Sequence, residues 1–153
     1  MDDEYELRAP RSSEEWSKYH AIRKQAIFAV YRPEIEYDPE YPDEYEQNHL
    51  SNALIWRGKV IGTIRIDIID QRRVAFRFVA VQPELQGRGH GTVLIRLAEN
   101  LVRGLGRAEI ILDSTRPALE FYRRNGFAEV SWQHDEPLEP DLIRIGKHLQ
   151  AKA

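Results

Sequence analysis

Between Val79 and Gly91 the chain runs Val-Ala-Val-Gln-Pro-Glu-Leu-Gln-Gly-Arg-Gly-His-Gly. This is the end of a buried strand, a short turn and three glycines spaced by single residues. A clean amphipathic pattern follows. Few folds can absorb that order. Glycines let neighbouring backbone N–H groups turn toward one point without a Cβ in the way. A helix starting behind them adds its partial positive end. The segment therefore predicts an α/β protein with an anion cradle at a strand's carboxyl end, and a pyrophosphate is the natural guest.

Two familiar cradles fit badly. The nucleoside-triphosphate loop needs Lys-Ser or Lys-Thr after its glycines, and neither is present. The dinucleotide fingerprint needs a third glycine where this chain has Thr92 or Leu94. What remains is Gln86-Gly87-Arg88-Gly89-His90-Gly91, preceded by Val79-Ala80-Val81 and Pro83. It resembles the acetyl-CoA pyrophosphate loop of the GCN5-related N-acetyltransferase (GNAT) superfamily. A second segment, Ala118-Leu119-Glu120-Phe121-Tyr122-Arg123-Arg124-Asn125-Gly126-Phe127, resembles the A-x-x-F-Y-x-x-x-G-F segment of the same family. The two stand in the family's order and at about its spacing. The resemblance covers residues 50–148 well and residues 1–50 only by layout.

The local patterns agree with that fold. Tyr5 to Arg8 alternates as a short strand, and Ser12 or Ser13 before two glutamates reads as a helix cap. Apolar residues then recur at helical spacing from Trp16 to Val30. Pro33, Pro39 and Pro42 impose a loop, with a short helix expected around Glu44 to Leu50. Strands are expected at Ala53–Trp56 and Val60–Ile69, joined by Arg57-Gly58-Lys59. Arg73 to Val81 is apolar on both faces except at Arg77, as in a central strand. The next helix should bury Val93, Leu94, Leu97, Ala98, Leu101 and Leu105. Further strands are expected at Glu109–Asp113, Phe127–Gln133 and Leu142–Lys147, with a helix from Pro117 to Asn125. The resemblance implies an α/β GNAT fold over residues 1–153. Its central sheet would be mixed antiparallel and parallel, with six to seven strands and about four flanking helices.

Composition narrows the chemistry. With no cysteine, the chain can carry neither a thiolate metal site nor an acyl-thioester on itself. A net charge of −3 argues against nucleic acid as the main partner. Met1-Asp2-Asp3-Glu4 lacks the apolar core of a secretory leader, and no stretch is apolar enough to span a bilayer. A cytoplasmic protein without membrane attachment is expected. From Pro33 to Trp56 there is no lysine or arginine, while seven acidic residues crowd Glu34 to Glu46. This is either an acidic lip for a cationic amine or a solvated loop.

The resemblance implies an N-acetyltransferase in which an amine attacks acetyl-CoA directly in a ternary complex, with no metal. The acceptor would be a small-molecule or peptide amine. Homodimers are common in the family. Backbone amides from Gln86 through Gly87, Arg88, Gly89, His90 and Gly91 to Thr92 would hold the pyrophosphate. Arg88 and His90 would turn their side chains to solvent or phosphate. Val79, Ala80 and Val81 would pair with the pantetheine arm, and an N–H there would meet the oxyanion. Ser114 and Thr115 stand where many relatives place an asparagine that contacts the same arm. Tyr122 matches the family's general acid for the leaving thiolate; by helical spacing alone it is an aromatic core residue. Many relatives carry a glutamate on the strand before the loop, where this chain has Ala75 and Arg77. Asp67, His49 and the acidic loop are alternative bases, and Arg65 and Arg77 either face a substrate carboxylate, pair with carboxylates or reach solvent at the sheet face. A non-catalytic acyl-CoA-binding module is the competing reading.

Overall fold

The computed structural model describes residues 4–132 and 137–150. Its strands are β1 (Tyr5–Arg8), β2 (His49–Trp56), β3 (Lys59–Ile68), β4 (Arg73–Val81), β5 (Glu109–Ser114), β6 (Ala128–Glu129) and β7 (Ile143–His148). They form one sheet in the order β1-β2-β3-β4-β5-β7-β6. β1 to β4 pair antiparallel, with short hairpins joining β2 to β3 and β3 to β4; Arg57 and Gly58, both at positive φ, make the β2–β3 turn. β4 and β5 are parallel and so need a crossover, supplied by helix α3 (His90–Gly104). β7 and β6 then close the sheet antiparallel, with β7 beside β5.

Helix α1 (Ser13–Arg23) begins as the sequence predicts, the Ser12 Oγ accepting from the Glu15 N–H at 3.1 Å. Arg8 forks onto the Glu15 carboxylate at 2.8 and 2.9 Å and so ties β1 to the helix start. From Lys24 to Phe28 the helix widens into a π turn, closed by the Ala29 N–H on the Lys24 carbonyl, before a last turn, α2 (Ala29–Tyr31). The extra residue re-aims the following side chains, which is where such turns tend to serve function. Helix α4 (Leu119–Arg124) follows β5.

The core lies on both faces of β3 and β4. Leu54, Ile64, Ile66, Val74, Phe76, Leu94, Ile110 and Ile145 are at most 2% exposed. On the opposite face Tyr19 and Ile22 of α1 cover Ala53, Ile55 and Ala80.

Several expectations need correction. Glu44 to Leu50 is not a helix: a single 3₁₀ turn, Pro42–Tyr45, is followed after three residues by β2, which starts at His49 and not Ala53. The proline-rich stretch hid a strand that begins with polar residues. Of the strand expected at 127–133 only Ala128–Glu129 pairs, and Gln133 lies outside the described residues. The inner face of α3 carries Leu94, Ile95, Ala98 and Val102, with His90 and Glu99 also buried. Val93, Leu97, Leu101 and Leu105 are only half-buried on its flank. Among the described residues no helix is long and apolar enough to cross a membrane.

Candidate active site

β4 and β5 keep register from Arg73↔Glu109 to Phe76↔Leu112, and the ladder stops there. β5 continues with β7 to Ser114↔Ile143. On its other side β4 slips register with β3 between Thr63 and Arg65. Phe78 takes up the slip at φ 53°, and the Thr63 hydroxyl fixes its carbonyl at 2.9 Å. A bulge bends its strand, and here the bend carries β4 away from β5. The resulting V opens into a cleft of about 1380 Å³.

The cradle closes one end. Gly87 and Gly89 adopt φ 77° and 90°, and Gly89 occupies the cap position of α3 with no side chain capping the helix. The first-turn N–H groups of α3 are therefore not taken up by a capping side chain. Gly91 admits Phe121: a Cβ there would lie 3.0 Å from the ring. Gln86 donates its side-chain amide to the Val81 carbonyl at 2.9 Å and ties the loop to β4. Val79, Ala80, Val81, Gln86, Gly87, Gly89, Gly91, Thr92, Ser114 and Thr115 all line the cleft.

Of the two side chains expected to face solvent or phosphate, only His90 departs from expectation. Arg88 is exposed and does not line the cleft. His90 faces neither solvent nor the cradle; it is 4% exposed, bonded through Nδ1 to the Tyr5 hydroxyl at 2.7 Å and packed on Trp56. The first helical position points its side chain at Tyr5 of β1 and Trp56 of β2, away from the cleft. Ser114 is also buried, with its hydroxyl donated to the Thr115 carbonyl.

Tyr122 stands on α4 against Phe121 and Phe127 and lines the cleft. Its hydroxyl has no hydrogen-bond partner among the described residues. Burial pushes the phenol well above its ordinary range, and Tyr31 across the cleft pushes in the same direction.

The other half of the cleft rests on a charged network that the sequence only hinted at. Arg23 donates to Glu44 at 2.5 and 3.1 Å and also to the Tyr19 hydroxyl. Tyr19 and Ser51 donate to the same carboxylate. Burial pushes the Glu44 carboxyl up, but the Arg23 charge and these hydrogen bonds outweigh it and hold it below the usual range. Arg65 forks onto Asp67 at 2.7 and 2.9 Å and reaches Asp43 at 2.8 Å. Arg77 lies 3.6 Å from Asp67 and 3.8 Å from Asp113. Both arginines are thus engaged with carboxylates of the chain. Asp67 and His49 do not line the cleft; Asp43 and Glu44 of the acidic loop do. No sequence signal marked Phe78 or the Glu44 clamp, since both arise from pairings distant in the chain.

A family model described as the acetyltransferase (GNAT) family matches residues 5–127. The chain belongs to the GNAT acetyltransferase family. Solved structures agree in fold. GCN5 from Tetrahymena superposes with a TM-score of 0.76 at 17% identity, over 97% of this chain and 98% of that one. An acetyltransferase from Streptococcus agalactiae gives 0.72 at 19% identity, over 95% and 99%. The PaiA N-acetyltransferase of Thermoplasma acidophilum, solved in complex with coenzyme A, gives 0.70 at 19% identity, over 94% and 98%. The mixed seven-stranded sheet of this GNAT protein is the architecture they share.

Proposed function

We propose that this GNAT protein transfers an acetyl group from acetyl-CoA to a primary amine by direct attack in a ternary complex. The observation that carries the proposal is the V between β4 and β5. It has a glycine cradle at its end and in its wall a phenol, Tyr122, with no hydrogen-bond partner among the described residues.

Acetyl-CoA supplies the activated acyl group as a thioester. Backbone N–H groups from Gly87 to Thr92 hold its pyrophosphate, helped by the positive end of α3. The β5-facing edge of Val79 to Val81 has no ladder partner, so it can bind the amide-bearing pantetheine arm as an added strand. An N–H on that edge stabilises the oxyanion as the amine nitrogen bonds to the carbonyl carbon. The C–S bond then breaks, and the Tyr122 hydroxyl gives its proton to the departing sulfur. The amine's surplus proton leaves through water along the carboxylate-lined acceptor half. At pH 7 an alkylamine must shed a proton before it attacks, which withholds about 4–5 kcal/mol.

The test is thiol release from acetyl-CoA against a panel of amines, paired with calorimetric binding of acetyl-CoA. The protein has no cysteine, so a thiol reagent sees no background. Amine-dependent release establishes the transfer; failure to bind acetyl-CoA refutes the reading.

A further inference from the structure

The acceptor half of the cleft differs in charge between floor and rim. On the floor and beneath it, four guanidiniums (Arg23, Arg65, Arg77 and Arg144) face four carboxylates (Asp43, Glu44, Asp67 and Asp113) within the salt-bridge network. The floor is close to neutral, and each of these guanidiniums already has a carboxylate against it. The rim is different. Arg32 is a cation of this rim and is held there by two carboxylates, Glu139 and Asp141; Arg124 of α4 also lines the cleft. Glu36 and Asp38 line the same rim, and no lysine or arginine pairs with either among the described residues.

Those two carboxylates sit on an anchored loop. Tyr37, between them, bonds to His20 Nδ1 at 2.5 Å and packs its ring 4.8 Å from Phe28. Phe28 in turn stacks on Phe78 at the bulge. A few residues on, Glu44 fastens the loop to Arg23 and Arg65. Between the rim and the V the walls are apolar or aromatic, with Ile27, Phe28, Tyr31 and Ile35 exposed to the cleft.

One chemical constraint turns this into a substrate class. The nitrogen that attacks must be uncharged, so carboxylates that bind a cation bind a different group of the acceptor. They recognise a second positive charge, carried on the far end of a chain whose middle lies along apolar walls. Resting on the acetyl-transfer reading above, we infer that the acceptor is an aliphatic diamine or polyamine, with one amine neutral in the V and another, protonated, held by Glu36 and Asp38. Transfer follows the same balance as before: an N–C bond forms, the C–S bond breaks, and the distal ammonium keeps its proton.

Three acceptors of similar length separate the possibilities: cadaverine, pentylamine, which lacks the second charge, and ε-aminocaproate, which reverses it. Cadaverine should exceed pentylamine in kcat/KM by about tenfold, the worth of one charge-assisted hydrogen bond. ε-Aminocaproate should be the poorest. Combining Glu36→Gln with Asp38→Asn should raise KM for cadaverine by about the same factor, with kcat little changed, and leave pentylamine unaffected. Both side chains are exposed, so the variant tests recognition and not folding. Equal use of cadaverine and pentylamine, preference for ε-aminocaproate, or no acetylation of cadaverine overturns the inference. Bound acetyl-CoA in the same samples would leave the family reading standing in each of those cases.

Discussion

The Arg23 guanidinium lies 4.3 Å above the ring of Phe78, and Arg65 approaches the same ring to 5.0 Å. Phe78 is the residue held at positive φ where β4 leaves β5. A left-handed backbone at a bulky residue costs free energy and persists only when its surroundings fix it. Here two cations above the ring and Phe28 stacked beside it supply that fixing. Glu44 holds both cations, so one carboxylate on the acidic loop supports the bulge that opens the cleft.

Glu44→Leu should therefore be strongly destabilising. Breaking a buried ion pair from one side leaves Arg23 uncompensated, at a cost of about 3–5 kcal/mol. Adding Arg23→Met to that variant should recover much of the loss, because an apolar pair of similar volume replaces the charges. Urea midpoints of the two variants check this. A double variant no more stable than the single would show that the network's other members, not this pair, set the cost.

The cradle makes a cleaner prediction. Gly89→Val forces a β-branched residue to φ 90° in the loop proposed to hold the pyrophosphate. Gly58 provides the control, since it has φ 80° in the β2–β3 turn with open space around it. Gly58→Val and Gly89→Val should each lose about 1–2 kcal/mol of stability from the left-handed backbone. Only Gly89→Val should weaken acetyl-CoA binding, by about tenfold or more once the N–H groups no longer converge. Equal calorimetric affinities for the two variants would remove the loop from the cofactor site.

Strand, turn and cradle were legible in residues 50–148 because each is a local signal. Examples are the glycines that fix the loop, the apolar run of Arg73 to Val81 and the Arg57-Gly58 hairpin. The acceptor half was not, because its geometry comes from contacts between distant segments. Glu44 reads as one of seven acids in a solvated loop until Arg23 of α1 and Arg65 of β3 are brought to it. His90 reads as a loop histidine until β1 places Tyr5 beneath it. The buried face of α3 was shifted for a related reason. Ile95 and Val102 face the sheet because the cradle sets where the helix starts, and periodicity alone does not fix that phase.

Stability should fall on mild acidification. Burial, then the Arg23 charge, lowers the His20 pKa; burial, then Arg88 and Arg57, lowers that of His90. Both folded values lie below the unfolded value of about 6.5. As pH falls the unfolded chain binds these protons first. The stability they contribute is full above about pH 6.5 and is lost as pH drops through the folded values. Urea midpoints between about pH 8 and 5.5 stay above the range of ordinary carboxylates. There the double variant His20→Asn, His90→Asn should show a flatter profile than the parent protein. Parallel profiles would mean that neither histidine is held neutral by the fold.

Tyr122→Phe separates chemistry from architecture. The hydroxyl makes no hydrogen bond to described residues, while the ring packs against Phe121 and Phe127. Phenylalanine keeps that packing and strands no buried partner, so the urea midpoint and acetyl-CoA affinity should hold. The turnover rate should fall by about a hundredfold or more, the usual worth of a positioned general acid. Burial raises the phenol's pKa, so it stays protonated across neutral and mildly alkaline pH and its ionisation should impose no alkaline limit there. The residual activity of the variant should instead depend on the leaving group. A thioester whose thiol is more acidic than coenzyme A departs without a proton, and it should recover a larger share of the parent rate in the variant. An unchanged rate with acetyl-CoA, or no gain with the better leaving group, would return Tyr122 to the aromatic core.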